Sequence, residues 1–275
     1  MILGIDAGNN EIKILGPYGE MKFSSLIGEY REIMEESLKG DSIVYEYQGK
    51  KGFAGSLAKY ESDFAGAMSG DSKAHPELKL RILIALHLYA SEKSYMIVVG
   101  QPVGSHKPGA TNYIKELLTG EHTITVNGKE KTFTIEKVEV APEGTAAYFV
   151  KPEDGTVRII DVGSGTINFA TVLNGRPIDK DSFTADIGMN STKEEVNLQA
   201  LGRFCITKTS RKWKKKDIVY VVGGVAEYVL PYIEDHYKYA KTIYPVLKKN
   251  GETYAIEPIY ANAYGFYQLA KKRFS

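Results

Sequence analysis

Short apolar runs alternate along the chain with segments whose apolar residues recur at helical spacing. Continuous apolar runs at residues 95–99, 157–160 and 218–222 predict three buried strands. The apolar positions of residues 76–89 predict a mostly buried helix. Other helices are predicted near residues 27–38, 113–118, 191–204, 225–233 and 260–274. Because strands alternate with helices, the sequence predicts an α/β fold.

Hairpins are predicted where alternating segments flank a turn. The first has an apolar start at residues 1–5, a polar turn at residues 6–10 and a returning strand that carries Ile12 and Ile14. Asn-Gly between two alternating segments is a strong hairpin signal. The remaining predicted hairpins join residues 42–47 to 51–55 and residues 122–126 to 132–136.

An internal repeat is the most informative feature of the sequence. Residues 5–12, which read IDAGNNEI, align with residues 160–167, which read IDVGSGTI, 155 residues further on. Each copy has a strand, an Asp-x-Gly turn and a returning strand. The repeat therefore predicts two related α/β halves, each of which presents an acidic hairpin.

Composition and charge exclude several classes of protein. Lys plus Arg is 35 and Asp plus Glu is 34 in 275 residues, so the whole surface is not built to coat nucleic acid. The one cysteine, Cys205, excludes an intrachain disulfide framework and a zinc site of Cys pairs, and a cytoplasmic protein is expected. No run of 18 apolar residues is present and the first lysine is Lys13, so neither a membrane span nor export is expected.

The repeated hairpins have the residue types of a phosphate site. Turns of Gly, Asn and Ser expose backbone N–H groups that can cradle phosphate oxygens. Asp6 and Asp161, at the strand ends, can hold Mg²⁺ through water, and Lys13 can reach the phosphates. A single Asp-x-Gly is more often a plain turn, but two matched copies favour a nucleoside triphosphate held between the two halves.

Two further segments have both a structural and a functional interpretation. Gly223-Gly224 follows a buried strand and is either a simple turn or a place where ribose and the α-phosphate approach the backbone. Glu143 is either a charge at a helix start or the group that orients a water toward a γ-phosphate. The sequence contains no Walker phosphate loop and no His-Glu-x-x-His, and Cys205 is interpreted as a buried, inert thiol.

Taken in order, these motifs resemble the actin, Hsp70 and sugar-kinase superfamily. Members have two phosphate hairpins, an adenosine Gly-Gly turn and two connecting helices. The matching segments here are residues 6–13, 161–166 and 222–225, with connecting helices that start near residues 142–144 and 261–265.

Within the superfamily, the chain is most similar to bacterial plasmid-segregation actins of the ParM and Alp type. The segments that carry this similarity are residues 98–103, the hairpin around Asn127-Gly128, residues 142–144 and residues 52–55. Only about 56 residues separate the second phosphate hairpin from Gly223, and AlfA-type members resemble this chain in lacking subdomain IIB. The resemblance implies an actin-like ATPase fold in which two related α/β domains enclose a nucleotide cleft and subdomain IIB is reduced or absent.

The resemblance also implies a domain division. Domain I would comprise residues 1–145, with a small IB insert near residues 27–65, and domain II would comprise residues 146–261. The C-terminal helix, residues 262–275, would return to domain I.

The implied function is a filament that assembles with ATP and segregates plasmid DNA in the cytoplasm. Asp6 and Asp161 would handle Mg²⁺ and water, and Glu143 would position the water. Gly223, Gly224 and Val225 would contact the nucleoside. The residues implied in phosphate binding are Gly8, Asn9, Asn10, Lys13, Gly163, Ser164, Gly165 and Thr166. Actin has a second acidic residue where Ser164 stands, and a missing IIB would open the adenine side, so GTP is an alternative to ATP.

The implied partners are further copies of the chain and a DNA-binding adaptor on a plasmid centromere site, with no membrane partner. One alternative is a small-molecule kinase of the same superfamily, such as a type III pantothenate kinase, but the sequence offers no acceptor base besides Glu143. A second alternative is direct DNA binding through the basic residues of 208–216. Such a charge run is more often a solvated face, and segregation actins generally reach DNA through an adaptor.

Overall fold

Two large β-sheets, a separate two-stranded sheet and the surrounding helices make up most of the described part of the chain. The computed structural model describes residues 1–67, 73–189, 197–249 and 251–275. The strands are β1 (Ile2–Ala7), β2 (Glu11–Gly16), β3 (Gly19–Ser24), β4 (Ile27–Glu29), β5 (Ile43–Tyr47), β6 (Lys50–Ala54), β7 (Ser94–Gln101), β8 (Gly120–Val126), β9 (Lys129–Pro142), β10 (Thr156–Val162), β11 (Ile167–Leu173), β12 (Arg176–Pro177), β13 (Phe183–Ala185), β14 (Ile218–Gly223), β15 (Tyr239–Thr242), β16 (Val246–Lys249) and β17 (Glu252–Ala255). The α-helices are α1 (Gly55–Glu61), α2 (Pro76–Tyr89), α3 (Pro108–Leu118), α4 (Leu198–Thr209), α5 (Ala226–Glu234) and α6 (Ala261–Phe274).

The two large sheets repeat one topology. The first has the order β3-β2-β1-β7-β9-β8-β5-β6-β4, and the second has the order β12-β11-β10-β14-β15. In both, an antiparallel hairpin (β1–β2 or β10–β11) precedes two parallel neighbours. The internal repeat of the sequence is therefore also a repeat of structure. It brings Asp6 and Asp161 to the carboxyl ends of equivalent strands, where α/β sheets commonly bind ligands.

Each sheet is covered by helices on an apolar face. Leu3, Ile97 and Ile82 belong to one core that packs α2 against the first sheet. Trp213 and Cys205 belong to a second core beneath α4 and α5. Burial raises the pKa of the Cys205 thiol to about 12, which agrees with the inert thiol predicted from the sequence.

Several elements match the sequence-based predictions closely. Helix α2 spans residues 76–89, as predicted, and the predicted buried strands correspond to β7, β10 and β14. The hairpin at Asn127-Gly128 forms between β8 and β9, with both residues at positive φ. Helix α3 begins at Pro108, earlier than the predicted residues 113–118, because Pro is well suited to the first helical position.

The helix predicted at residues 27–38 is wrong. Residues 27–29 form β4, whose backbone pairs with β6, and only residues 35–37 make a 3₁₀ turn. Tertiary pairing overrides a weak local helical pattern here. The helix predicted at residues 191–204 is only partly testable, since residues 190–196 lie outside the described residues; α4 covers Leu198–Thr209 and extends into the basic stretch.

The segment between the turn that follows β10 and strand β14 is small. Its described residues form β11, β12, β13, a 3₁₀ turn and α4, and α4 packs directly against the core of the second sheet. This agrees with the predicted reduction or absence of subdomain IIB. Among the described residues, no helix is both long and apolar enough to cross a membrane.

Candidate nucleotide site

The residues predicted for the site all line one cavity between the two sheets. The cavity has a volume of about 350 Å³, which lies in the range of small-molecule sites. The predicted residues that line it are Asp6, Gly8, Asn9, Asn10, Lys13, Glu143, Asp161, Gly163, Ser164, Gly165, Thr166, Gly223, Gly224 and Val225. The cavity is also lined by Glu11, Lys73, Pro102, Val162, Asn168, Met189, Ile259 and Asn262.

The two hairpin turns have the same backbone geometry and face each other. Gly8 N donates to Glu11 O at 3.0 Å, and Gly163 N donates to Thr166 O at 3.0 Å. The Asn9 side-chain amide of the first turn lies directly against Gly165 of the second turn. This is the arrangement expected of two loops that clamp one ligand.

The first turn is anchored to a buried arginine. Ser25 N donates to Asn10 O at 2.8 Å, and the Ser25 hydroxyl donates to the Asn9 carbonyl. The Ser25 carbonyl in turn accepts from Arg81 Nε at 2.8 Å, and the Arg81 side chain on α2 is fully buried. Because Ser25 donates to the turn carbonyls and is itself held by Arg81, the turn is fixed in position relative to the cavity.

Asp6 lies between two lysines. Its Oδ2 contacts Lys13 Nζ at 3.2 Å, and its Oδ1 contacts Lys73 Nζ at 3.2 Å. All three side chains are buried. Burial alone would raise the pKa of Asp6, but the charges of Lys13 and Lys73 outweigh it and lower that pKa. Asp6 is therefore a carboxylate at neutral pH.

Glu143 and Asp161 are joined by buried amides. Asn168 Nδ2 donates to Glu143 Oε2 at 3.3 Å and to Asp161 Oδ2 at 3.2 Å. Asn262, at the start of α6, donates to Asp161 Oδ2 at 3.0 Å and accepts from Gly144 N at 2.9 Å. The other carboxylate oxygen of Glu143 forms an ion pair with Lys73.

The surroundings shift the protonation of both carboxyl groups. Burial, with a smaller contribution from the Glu143 charge, raises the pKa of Asp161 to about 7. Burial also raises the pKa of Glu143, against the opposing charge of Lys73. Perturbed carboxyl groups that meet in a cavity are typical of sites that handle protons or bind charged ligands.

The end of the cavity at Gly223 and Gly224 is open. Gly223 has a φ of 104°, and a Cβ there would overlap the Val162 carbonyl, so the turn requires glycine. A neighbouring groove of about 470 Å³ shares Glu11, Gly223, Gly224 and Ile259 with the main cavity. A base placed beyond Gly224 would therefore lie in a groove that continues to the surface.

Three of the unpredicted cavity residues, Asn168, Asn262 and Lys73, contact the carboxylates of the site. The sequence does contain a signal for Asn168, since it stands 155 residues after Lys13. Each of the two residues pairs in register with the Asp of its own hairpin. Asn262 lies in a segment recognised as a helix start, without a role. No motif marks Lys73, whose place depends on how the chain enters α2.

The donor set of the cavity fits a hard divalent cation. Carboxylate and amide oxygens are the preferred ligands of Mg²⁺. Both hydrogen bonds that Asp161 accepts end on Oδ2, and the described residues place no donor on its Oδ1. Among the described residues, no three His, Cys, Asp or Glu side chains are grouped to hold a metal by themselves. Water and phosphate oxygens would have to complete the coordination.

Comparison with known proteins gives one family and many similar structures. The family model described as "Actin like proteins N terminal domain" matches residues 4–145. Curated protein sequences give no match.

Solved structures match along the whole chain. An AlfA filament bound to AMPPNP is 21% identical, with 100% of this chain and 99% of that chain covered and a TM-score of 0.77. AlfA from a B. subtilis plasmid, pLS32, is 21% identical, with 96% and 97% covered and a TM-score of 0.78. Ta0583, an archaeal actin homologue in complex with ADP, is 20% identical, with 98% and 99% covered and a TM-score of 0.76. The expected actin-like fold is confirmed.

Proposed function

The chain belongs to the family of actin-like proteins, and from that premise we propose that it is a nucleoside triphosphatase that polymerises into filaments and segregates plasmid DNA. The observation that carries the proposal is the pair of matched hairpins, Asp6–Lys13 and Asp161–Asn168, which face each other across one cavity. The similarity to AlfA, whose structure is a filament bound to AMPPNP, supports both the ligand class and self-assembly.

We propose ATP as the nucleotide, with the phosphates on the two turns and the nucleoside at Gly223, Gly224 and Val225. The turn N–H groups and Lys13 would bind the phosphate oxygens. The open groove beside Gly224 supports GTP as an alternative base. Bound Mg²⁺ would neutralise phosphate charge, held through water by Asp161 Oδ1 and by Asp6.

We propose that Glu143 orients the attacking water. Its carboxylate is buried at the cavity wall beside the two phosphate turns, and Gln101 O accepts from Glu143 N at 2.9 Å, which fixes its backbone. A positioned carboxylate in this place can hold a water in line with a terminal phosphate. The small-molecule kinase alternative is not favoured, since filament-forming proteins of the same fold match over the full chain.

We propose the domain division 1–145 and 146–261, with residues 262–275 returning to domain I. Each large sheet falls into one of these parts. The return of the last helix is supported by its packing, since Gly4 of β1 lies against the α6 backbone at Ala263 and Tyr267. Asn262 would then bridge the two domains through Gly144 and Asp161.

The adaptor and the cellular location are also proposals. The lysines and arginine of residues 208–216 are exposed and surround the buried Trp213. They therefore form a solvated basic surface over the core of the second sheet. A near-neutral protein with one such face is better suited to reach DNA through an adaptor on a plasmid site than directly. The place of action would be the cytoplasm.

Sedimentation and electron microscopy with Mg²⁺-ATP test the proposed function. Wild type is expected to pellet as filaments with ATP and to release phosphate. Asp161→Ala is expected to lose most hydrolysis, whereas Asp154→Ala, at an exposed position, is expected to retain it. A wild-type protein that stays in the supernatant with ATP at every concentration would contradict the filament, and normal turnover in Asp161→Ala would contradict the site.

A further inference from the structure

Lys73 is a cavity side chain that none of the proposed roles uses. It lies just before α2 and is 5% exposed. Its ammonium contacts Asp6 Oδ1 at 3.2 Å and forms an ion pair with Glu143 Oε1. It therefore bridges the carboxylate proposed for the metal side and the carboxylate proposed for the water.

The bridge is fixed from the backbone as well. Lys73 N donates to the Gln101 side-chain oxygen at 3.0 Å, and the Gln101 backbone carbonyl accepts from Glu143 N at 2.9 Å. Gln101 is fully buried at the end of β7. One residue thus sets the separation between Lys73 and Glu143, so their contact belongs to the fold and is not a chance placement of a long side chain.

The Lys73 ammonium is enclosed between two carboxylates. It is buried and pairs with both Asp6 and Glu143, whose side chains are also buried. A divalent metal ion that Asp6 holds through water would use the same carboxylate that the ammonium contacts. Two cations a few ångströms apart repel strongly in a buried site, so the ammonium and a divalent ion compete for this carboxylate.

We propose that Lys73 is a counter-cation that competes with a divalent metal ion for the Asp6 carboxylate, so that the metal binds tightly only together with a triphosphate. The inference rests on the proposed nucleotide site. A triphosphate brings negative charge that can attract both cations and lift the competition. Metal and nucleotide would then enter together, and the protein alone would not retain the metal.

Calorimetric titration of the nucleotide-free protein with Mn²⁺ tests the competition directly. Lys73→Met removes the charge and keeps a similar length. It is expected to bind Mn²⁺ at least about tenfold more tightly than wild type, because a unit charge a few ångströms away is worth more than that factor even at an effective dielectric constant of about 20. Lys115→Met, which breaks the Lys115–Glu139 ion pair outside the cavity, is the matched control and is expected to leave Mn²⁺ binding unchanged.

A second readout covers variants that fold poorly. A ligand that binds the native state raises the melting temperature, so Mn²⁺ should stabilise Lys73→Met and Lys73→Gln more than wild type. Equal Mn²⁺ affinity and equal thermal shifts in wild type and both variants would overturn the inference. Failure of the proposed function would instead appear as wild type that does not bind AMPPNP. The Mn²⁺ titrations of the nucleotide-free proteins could still be interpreted in that case.

Discussion

At the scale of single residues, the Glu143 carboxylate has a partner on each oxygen, Lys73 on one and Asn168 on the other. Glu143→Gln keeps the size of the side chain and removes the charge that would hold a water. A positioned carboxylate typically contributes about 10²–10⁴-fold to the rate. We expect Glu143→Gln to release phosphate slower by that factor while it still polymerises, so its filaments should last longer, as measured by phosphate release and light scattering.

The matched control for this variant is Glu136→Gln, an exposed glutamate on β9. It should hydrolyse ATP and disassemble at wild-type rates. If Glu143→Gln also turns over normally, the water is oriented by another group. If Glu143→Gln fails to polymerise, the carboxylate acts on assembly and not only on hydrolysis.

The residues of the site with the clearest signal in the sequence are those that repeat. Asp6 and Asp161, with their turns, stand out because the same segment recurs 155 residues later. Extending that alignment by one residue reaches Asn168, which stands at the position equivalent to Lys13. Lys73 could not be found this way, because it has no counterpart in a motif and reaches Asp6 through tertiary folding alone.

At the scale of secondary-structure elements, α6 packs against its neighbours through backbone contact. A Cβ on Gly265 would overlap the Ala146 carbonyl. Overpacking of this kind costs about 1–3 kcal/mol. Gly265→Ala should therefore lower the free energy of unfolding by that amount, measured by urea denaturation, although Ala favours a helix over Gly by about 1 kcal/mol.

Gly109 in α3 provides the matched control, since a Cβ there would meet nothing within 4 Å. Gly109→Ala should leave stability unchanged or raise it by up to about 1 kcal/mol. Equal effects of the two substitutions would mean that helix propensity, and not the close contact of α6 with Ala146, decides the cost at Gly265.

Secondary-structure elements could be predicted where the apolar pattern of the segment itself carries the signal. Helix α2 and the buried strand β7 carry their own apolar signal, and the structure gives them nearly the predicted bounds. Residues 27–29 and the short strand β15 have no such signal, and they become strands only because β6 and β14 offer free backbone partners. The hairpin of β16 and β17 flanks an Asn-Gly pair in the sequence, a signal that was available and was missed.

At the scale of the whole molecule, the repeat predicted two related halves but not their extent. The first sheet continues beyond β9 through β8, β5, β6 and β4, and nothing in the repeat anticipates that extension. Its strands pair residues far apart in sequence, such as Tyr45 with Val126. Pairings of this kind are decided by tertiary contacts, so a single sequence does not fix them.

Exposed large apolar side chains concentrate at the outer edges of the two sheets. Beside β4 and α1, Tyr60 is 75% exposed and Phe64 is 88% exposed. Beside β15 and α5, Tyr228 is 64% exposed and Tyr239 is 57% exposed. A head-to-tail filament needs two different surfaces on each subunit, because a heterologous contact repeats without closing. These two apolar edges are suited to meet in that way.

Phe64→Ser and Tyr228→Ser should each weaken assembly from one side only. Loss of an aromatic anchor costs on the order of 2 kcal/mol, so either variant should raise the critical concentration about 30-fold. Each variant retains one intact edge, so a small fraction of either should cap wild-type filaments and shorten them in electron micrographs. The double variant should not cap.

Leu173→Ser, 43% exposed on the opposite side of the second sheet, is the control and should change neither the critical concentration nor the filament length. If neither single variant shortens wild-type filaments, the subunits join through other surfaces.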